Sequence, residues 1–167
     1  MVNETHTQQI DQMGIRFIGD SMEIIGYQHS DLESLRQLYF ESRLNTFTWL
    51  DSTEFELNNF DRDSDGEQIW VARDAGEIVG FISIWKPESF IHNLFVSPHH
   101  LRSGIGSTLL DFSKQRYSVL SLKCLIENKN AVNFYQSQGF KVASTVNNGP
   151  ESYHLMTFKN KKDLSLR

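Results

Sequence analysis

Apolar and polar positions change their spacing several times along the chain, and each change marks an element. Leu32, Leu35, Leu38, Tyr39 and Leu44 recur at helical spacing, with Glu33, Arg36, Gln37, Glu41 and Arg43 off that face. The pattern predicts an amphipathic helix, and Ser30 with Glu33 three residues later reads as its capping box. Residues 1–20 are polar and read as a flexible leader, with a short strand at 15–18, and residues 22–27 as the first secure strand. A second short helix is expected from Ser52 to near Phe60. Residues 68–73 and 78–86 flank the turn Asp74-Ala75-Gly76-Glu77 and predict a hairpin. Residues 90–96 are apolar, aromatic and β-branched, the composition of a buried strand, which Ser97-Pro98 breaks. Further strands are expected at 118–125, 141–146 and 153–158, with a short amphipathic helix between Asn130 and a C-terminal stop at Gly139. Helices, antiparallel strands and then a strand–turn–helix crossover predict a mixed α/β sheet rather than a doubly wound parallel one.

Size and charge narrow the picture. At 167 residues and 19.3 kDa the chain has the length of one domain, expected over residues 21–158, with a charged tail at 159–167. A net charge of −5 gives no basic footprint for nucleic acid. No apolar run approaches a membrane span and no leader peptide opens the chain, so a cytoplasmic location without membrane contact is expected. Cys124 is the single cysteine, expected as a small buried hydrophobe. Asp61-Arg62-Asp63-Ser64-Asp65-Gly66 imitates the start of a calcium loop, but Ala72 stands where the bidentate Glu is needed. A solvated turn is the better reading, and no metal is expected.

The candidate chemistry lies after the residue 90–96 strand. Arg102-Ser103-Gly104-Ile105-Gly106-Ser107 runs straight into Thr108-Leu109-Leu110-Asp111-Phe112, which reads as a helix. A strand feeding a glycine-rich turn that opens a helix is a phosphate cradle, because the first helical amides lack internal partners and the dipole is positive there. A dinucleotide fingerprint needs a third glycine where Leu109 stands, and a triphosphate loop needs Lys where Ser107 stands.

What remains resembles the coenzyme A pyrophosphate loop of the GNAT superfamily of N-acetyltransferases, Gln/Arg-x-x-Gly-x-Gly/Ala. Gly104 and Gly106 match its glycines; Leu101 stands where the family usually has Gln or Arg, with Arg102 one place later. Asn130-Ala131-Val132-Asn133-Phe134-Tyr135 through Gly139-Phe140 is similar to the second signature of that family, Asn-x-x-Ala-x-x-Phe-Tyr-x-x-x-Gly-Phe, slightly compressed at Asn130. The resemblance covers about residues 22–158. It implies a central mixed, mostly antiparallel sheet of about six to seven strands flanked by about four helices. It also implies an N-acetyltransferase with acetyl-CoA as cosubstrate and a small-molecule, amino-acid or peptide amine as acceptor, attacked directly.

The same resemblance assigns roles. Amides of Arg102, Ser103, Gly104, Ile105, Gly106 and Ser107 would hold the pyrophosphate beside Leu101, with Asn130 and Phe134 farther along the ligand. Main-chain groups of Leu94 and Val96, with Phe95 between them, would pair with the pantetheine arm, and an N–H of this strand would face the acetyl oxygen. Tyr135 matches the tyrosine that donates to sulfur, and a phenol is protonated near neutrality, as a donor must be. Some members carry Glu at the position of Phe90, which cannot accept a proton. The serotonin N-acetyltransferases carry a histidine at that of His92, and imidazole is suited to take a proton from an ammonium. By strand alternation Phe90, His92, Leu94 and Val96 are expected on one face, with Ile91, Asn93 and Phe95 on the other. Phe47, Trp49, Trp85 and Phe90 are the candidate acceptor walls, although each is also an ordinary core residue. Dimers are common in the family, so a homodimer is compatible. Leu101 and Phe90 leave open a non-catalytic acyl-CoA-binding domain, and a longer acyl donor is a further alternative.

Overall fold

The computed structural model describes residues 16–18 and 21–161; the rest of the leader and of the charged tail lie outside the described residues. In chain order the elements are β1 (Arg16–Ile18), β2 (Met22–Gly26), α1 (Leu32–Thr46), α2 (Asn59–Asp63), β3 (Gln68–Asp74), β4 (Glu77–Trp85) and β5 (Phe90–Val96). They continue as α3 (Ile105–Lys114), β6 (Val119–Leu125), α4 (Lys129–Ser137), β7 (Lys141–Val146) and β8 (Tyr153–Lys159). One sheet runs β1-β2-β3-β4-β5-β6-β8-β7, parallel only between β5 and β6. Seven of its strands have five residues or more, and β1 adds three at the edge. With four helices, this is the mixed, mostly antiparallel architecture expected.

Alternation along β3 and β4, shifted by one residue at a β-bulge on Val79, sorts the core onto the two faces of the sheet. Ala72, Val79, Ile82 and Ile84 pack with Ile105, Leu109, Leu110 and Phe112 of α3. Val71 and Phe81 face the other way, against Leu35, Leu38 and Tyr39 of α1 and Phe60 of α2. The hairpin turns at Ala75 and Gly76, both with positive φ (49° and 84°), the geometry that matches strand twist.

Three local expectations need correction. First, α1 is preceded by a 3₁₀ turn at His29–Asp31, and the capping role goes to Asp31, not to Ser30 and Glu33. The buried Asp31 carboxylate accepts the Gln28 N–H at 2.9 Å and pairs with Arg73 at 2.5 Å, whereas Glu33 is drawn to Arg36. Second, Arg43 is buried (6% exposed) while Leu44 is 40% exposed. The segment below α1 offers acceptors: Arg43 donates to Asn59 Oδ1 and to the Glu56 carbonyl, both at 3.1 Å, and lies over the Tyr39 ring. Third, the second helix begins at Asn59 rather than Ser52. Asn59 accepts the Glu56 N–H at 2.9 Å, which holds the preceding residues in a turn.

The solvated-turn reading holds only in part: Asp61 to Asp63 close α2, residues 64–66 turn the chain, and Ser64 is buried, donating to the Phe60 carbonyl at 2.7 Å. Asp61 pairs with Arg36, and Asp63 accepts the Tyr39 hydroxyl at 2.7 Å. Among the described residues no three His, Cys, Asp or Glu side chains converge as a metal site, and no helix is long and apolar enough to cross a membrane.

Candidate functional site

The site is a fork in the sheet. β5 pairs with β4 along its whole length, but with β6 only at Phe90–Ser121 and Ile91–Leu122. Beyond Ile91 the two parallel strands part. The Ser97 N–H is used on the Val79 carbonyl (2.8 Å), so alternation turns the main-chain groups of Leu94 and the N–H of Val96 away from β4 and into the fork, while the Val96 carbonyl accepts from Ser42 Oγ of α1 at 3.4 Å. Unpaired strand edges of this kind accept an extended ligand as an added strand.

The open end of the fork carries the glycine turn. Gly104 adopts φ 83° at the start of α3, and a Cβ there would meet nothing within 4 Å. The first helical hydrogen bond is Thr108 N–H to the Gly104 carbonyl (3.0 Å), which leaves the amides of Ile105, Gly106 and Ser107 without a helical partner. Leu101, Arg102, Ser103 and Gly104 are exposed, and Arg102 is itself left-handed (φ 63°). Ser103 donates to the His100 carbonyl within this loop. Ser107 accepts from Gln138 Nε2 at 3.1 Å, tying α3 to the end of α4. These free amides and open surface fit a diphosphate.

α4 closes one side of the fork. Phe134 lies against Gly106, and the Tyr135 ring contacts Phe134 and Phe140. Burial, reinforced by nearby Cys124 on β6, pushes the Tyr135 phenol well above its ordinary value. Among the described residues no protein group hydrogen-bonds its hydroxyl, so the proton is free for a ligand. Cys124 is buried, its thiol pushed up by desolvation to about 11, which keeps it un-ionised and inert. Asn130 is exposed on the first turn of α4. Asn128, which the sequence reading passed over, caps the helix by accepting the Ala131 N–H at 3.3 Å. The clue was its spacing, since Asn128 and not Asn130 stands three residues before Ala131.

The simple alternation expected along β5 fails at His92. Ser83 pairs with Asn93 and Ile84 with Ile91, so His92 is the extra residue of a β-bulge. Ile91 therefore joins the same core as Leu94 and Val96, while Phe95 packs with the α1 side. His92 stacks edge-on to Phe90 (4.8 Å), and its side chain is 44% exposed. Its Nδ1 lies against Oε1 of Glu67, a contact that no motif announced. Partial burial, with the Lys123 charge adding, pushes the imidazole below its ordinary value.

The four candidate acceptor walls divide into two groups. Phe47 and Trp49 meet edge to face, and Phe47 touches Phe95 at the far half of β5. Trp85 pairs across the strands with Phe90 at the near end, beside His92. The two groups are five residues apart along β5, and only the second adjoins the histidine.

Comparison with known proteins agrees with this geometry. Residues 32–140 match the family model described as Acetyltransferase (GNAT) family. The chain is 34% identical over 124 residues to the peptidyl-lysine N-acetyltransferase YiaC of Escherichia coli, covering 69% of this chain and 80% of that protein. It is 30% identical over 149 residues to an uncharacterized N-acetyltransferase of Archaeoglobus fulgidus, covering 78% of this chain and all of that one (100%). Among solved structures, the PaiA N-acetyltransferase of Thermoplasma acidophilum in complex with coenzyme A superposes with a TM-score of 0.69 at 22% identity, covering 84% of this chain and 99% of that one. A forked mixed sheet with a glycine cradle at its mouth defines an acyltransferase, and the chain belongs to the GNAT acetyltransferase family. It is an N-acetyltransferase.

Proposed function

We propose that the enzyme moves the acetyl group of acetyl-CoA to a primary amine by direct attack within a ternary complex. The parting of β5 and β6 carries this reading. It leaves two strand edges open beside the half-buried Tyr135 phenol, with free helical amides at the open end. Acetyl-CoA supplies a thioester carbonyl and a thiolate leaving group. Amides of residues 105–107 bind its diphosphate, and main-chain groups of Leu94 with the N–H of Val96 bind the extended arm. A main-chain N–H of β5 takes up the charge that develops on the acetyl oxygen.

His92 accepts a proton from the acceptor ammonium, freeing the lone pair that forms the N–C bond. As the C–S bond breaks, Tyr135 donates to sulfur. Of the two protons the ammonium loses, one leaves His92 for water, and the other ends on the thiol by way of the phenol. The name of the Escherichia coli relative points to lysine side chains as one acceptor class, and the aromatic faces of Trp85 and Phe90 suit such a cation. The test is incubation with acetyl-CoA and a panel of lysine peptides, amino acids and polyamines, following free thiol. Amine-dependent thiol release is expected. Calorimetric indifference to acetyl-CoA together with no thiol release would overturn the reading.

A further inference from the structure

The side chain of Glu67 is buried (2% exposed), yet it is a carboxylate. One oxygen lies against His92 Nδ1; the other, Oε2, is buried with no hydrogen-bond partner among the protein groups. Taking a carboxylate out of water is unfavourable unless a positive charge answers it, and an apolar side chain would fill the same space more stably. The half-exposed imidazole above it is the group that can become positive.

Several contacts hold Glu67 in place. Its N–H donates to the Ser64 carbonyl at 3.1 Å, closing a tight turn that Gly66 permits with φ 73°. Buried Asn93, next to His92, donates to the Asp63 carbonyl (3.3 Å) and to Ser83 Oγ (2.8 Å). Tyr39 holds the Asp63 carboxylate from α1. The turn that imitates a calcium loop is thus fastened to the bulge on β5, and its end delivers a carboxylate under the histidine.

We propose that Glu67 is a positioning residue for the base: its carboxylate holds His92 through Nδ1–H, so that Nε2 carries the lone pair and faces the acceptor. This rests on the transfer reaction above. Nδ1 is the nitrogen set against the buried Glu67 side chain, which leaves Nε2 as the ring nitrogen open to an acceptor. When Nε2 takes the ammonium proton, both ring nitrogens are protonated and the new charge sits against Glu67. The proton then passes from Nε2 to water and the pair is restored. Two charges act on the ring, Glu67 from the turn before β3 and Lys123 from β6; Phe90 on its own strand is uncharged.

The experiment is an NMR titration of histidine-labelled full-length protein, with kcat/KM profiles measured alongside. In Glu67→Gln the His92 midpoint should fall by about one pH unit, and the Nδ1–H tautomer should lose its dominance. The acid limb of kcat/KM should move to lower pH with kcat down roughly tenfold, while KM for acetyl-CoA stays put. Glu67→Asp, which keeps the charge, should restore the midpoint in part, and it serves as the reporter if the glutamine variant does not fold. A glutamate that only supported the fold would lower thermal stability and move neither tautomer nor midpoint. An unchanged His92 titration in an active enzyme sinks this role alone. A shifted titration in a protein inert toward every amine sinks the transfer reading, and this role with it.

Discussion

Phe134 Cζ stands 3.3 Å from the place a Cβ on Gly106 would occupy, and Val96 Cγ2 stands 3.8 Å from it. The first turn of α3, the face of α4 and the free edge of β5 therefore meet at one residue without spare room. A branched side chain at Gly106 must displace Phe134 or tilt the start of α3. Gly106→Val should weaken acetyl-CoA binding at least tenfold, about 1.4 kcal/mol, by titration calorimetry. Affinity equal to the wild type would show that the ligand avoids this corner.

Tyr135 tests the acid. Burial holds its phenol protonated throughout the working range. Tyr135→Phe should lower kcat by about a hundredfold while KM for acetyl-CoA changes little. A variant with full turnover would reduce Tyr135 to a packing residue.

For His92 the readout is the pH–rate profile. The wild-type kcat/KM should rise through an acid limb as the imidazole loses its proton. His92→Ala should abolish that limb. A profile of the same shape in the variant removes His92 as base.

Alkaline stability follows from burial of weak acids. Cys124, Tyr39, Tyr117 and Tyr135 are all held above their ordinary values, with desolvation the leading cause. Unfolded, they release protons at ordinary values; folded, they retain them. The unfolded state then binds fewer protons, so stability is steady below about pH 8 and falls as pH rises past about 9. Urea midpoints measured from pH 7 to 11 should show this decline, and Tyr135→Phe should make it shallower.

Arg43 is predicted to be a fastening residue. Its guanidinium is satisfied by Asn59 and by the Glu56 and Tyr39 carbonyls rather than by a carboxylate. Arg43→Met keeps much of the volume but strands those acceptors, and should destabilise by about 2–3 kcal/mol in urea unfolding. A loss below half a kilocalorie would mean that water replaces the guanidinium without penalty.

Where a single local signal decides the structure, the sequence reading holds. Ala75-Gly76 sets the hairpin, Gly104 opens α3, and Gly139, at φ 89°, follows the end of α4. Errors arise where a distant partner decides. Arg43 turns inward because Asn59 and Glu56 lie below it, and Asp31 takes the cap because Arg73 reaches it across the sheet. The His92 bulge is a mismatch between two strands, so no pattern within β5 alone reveals it. Glu67 escaped notice because its turn reads as solvated, and its burial depends on Asn93 and Tyr39. The cradle was legible because its chemistry is local main chain, and His92 and Tyr135 were named through the resemblance; the Glu67 contact beneath His92 was not legible, because separate segments build it.

The sheet is left unfinished by its own chain. β1 to β5 form one leaf and β6 to β8 another, and the seam between them is two residue pairs long. A ligand lying along the free edge of β5 would act as a splint across that seam. Occupancy should then be felt as stiffness: slower amide exchange along β6 and β8, at positions no ligand atom reaches. On that view the donor substrate is also a structural member of the sheet.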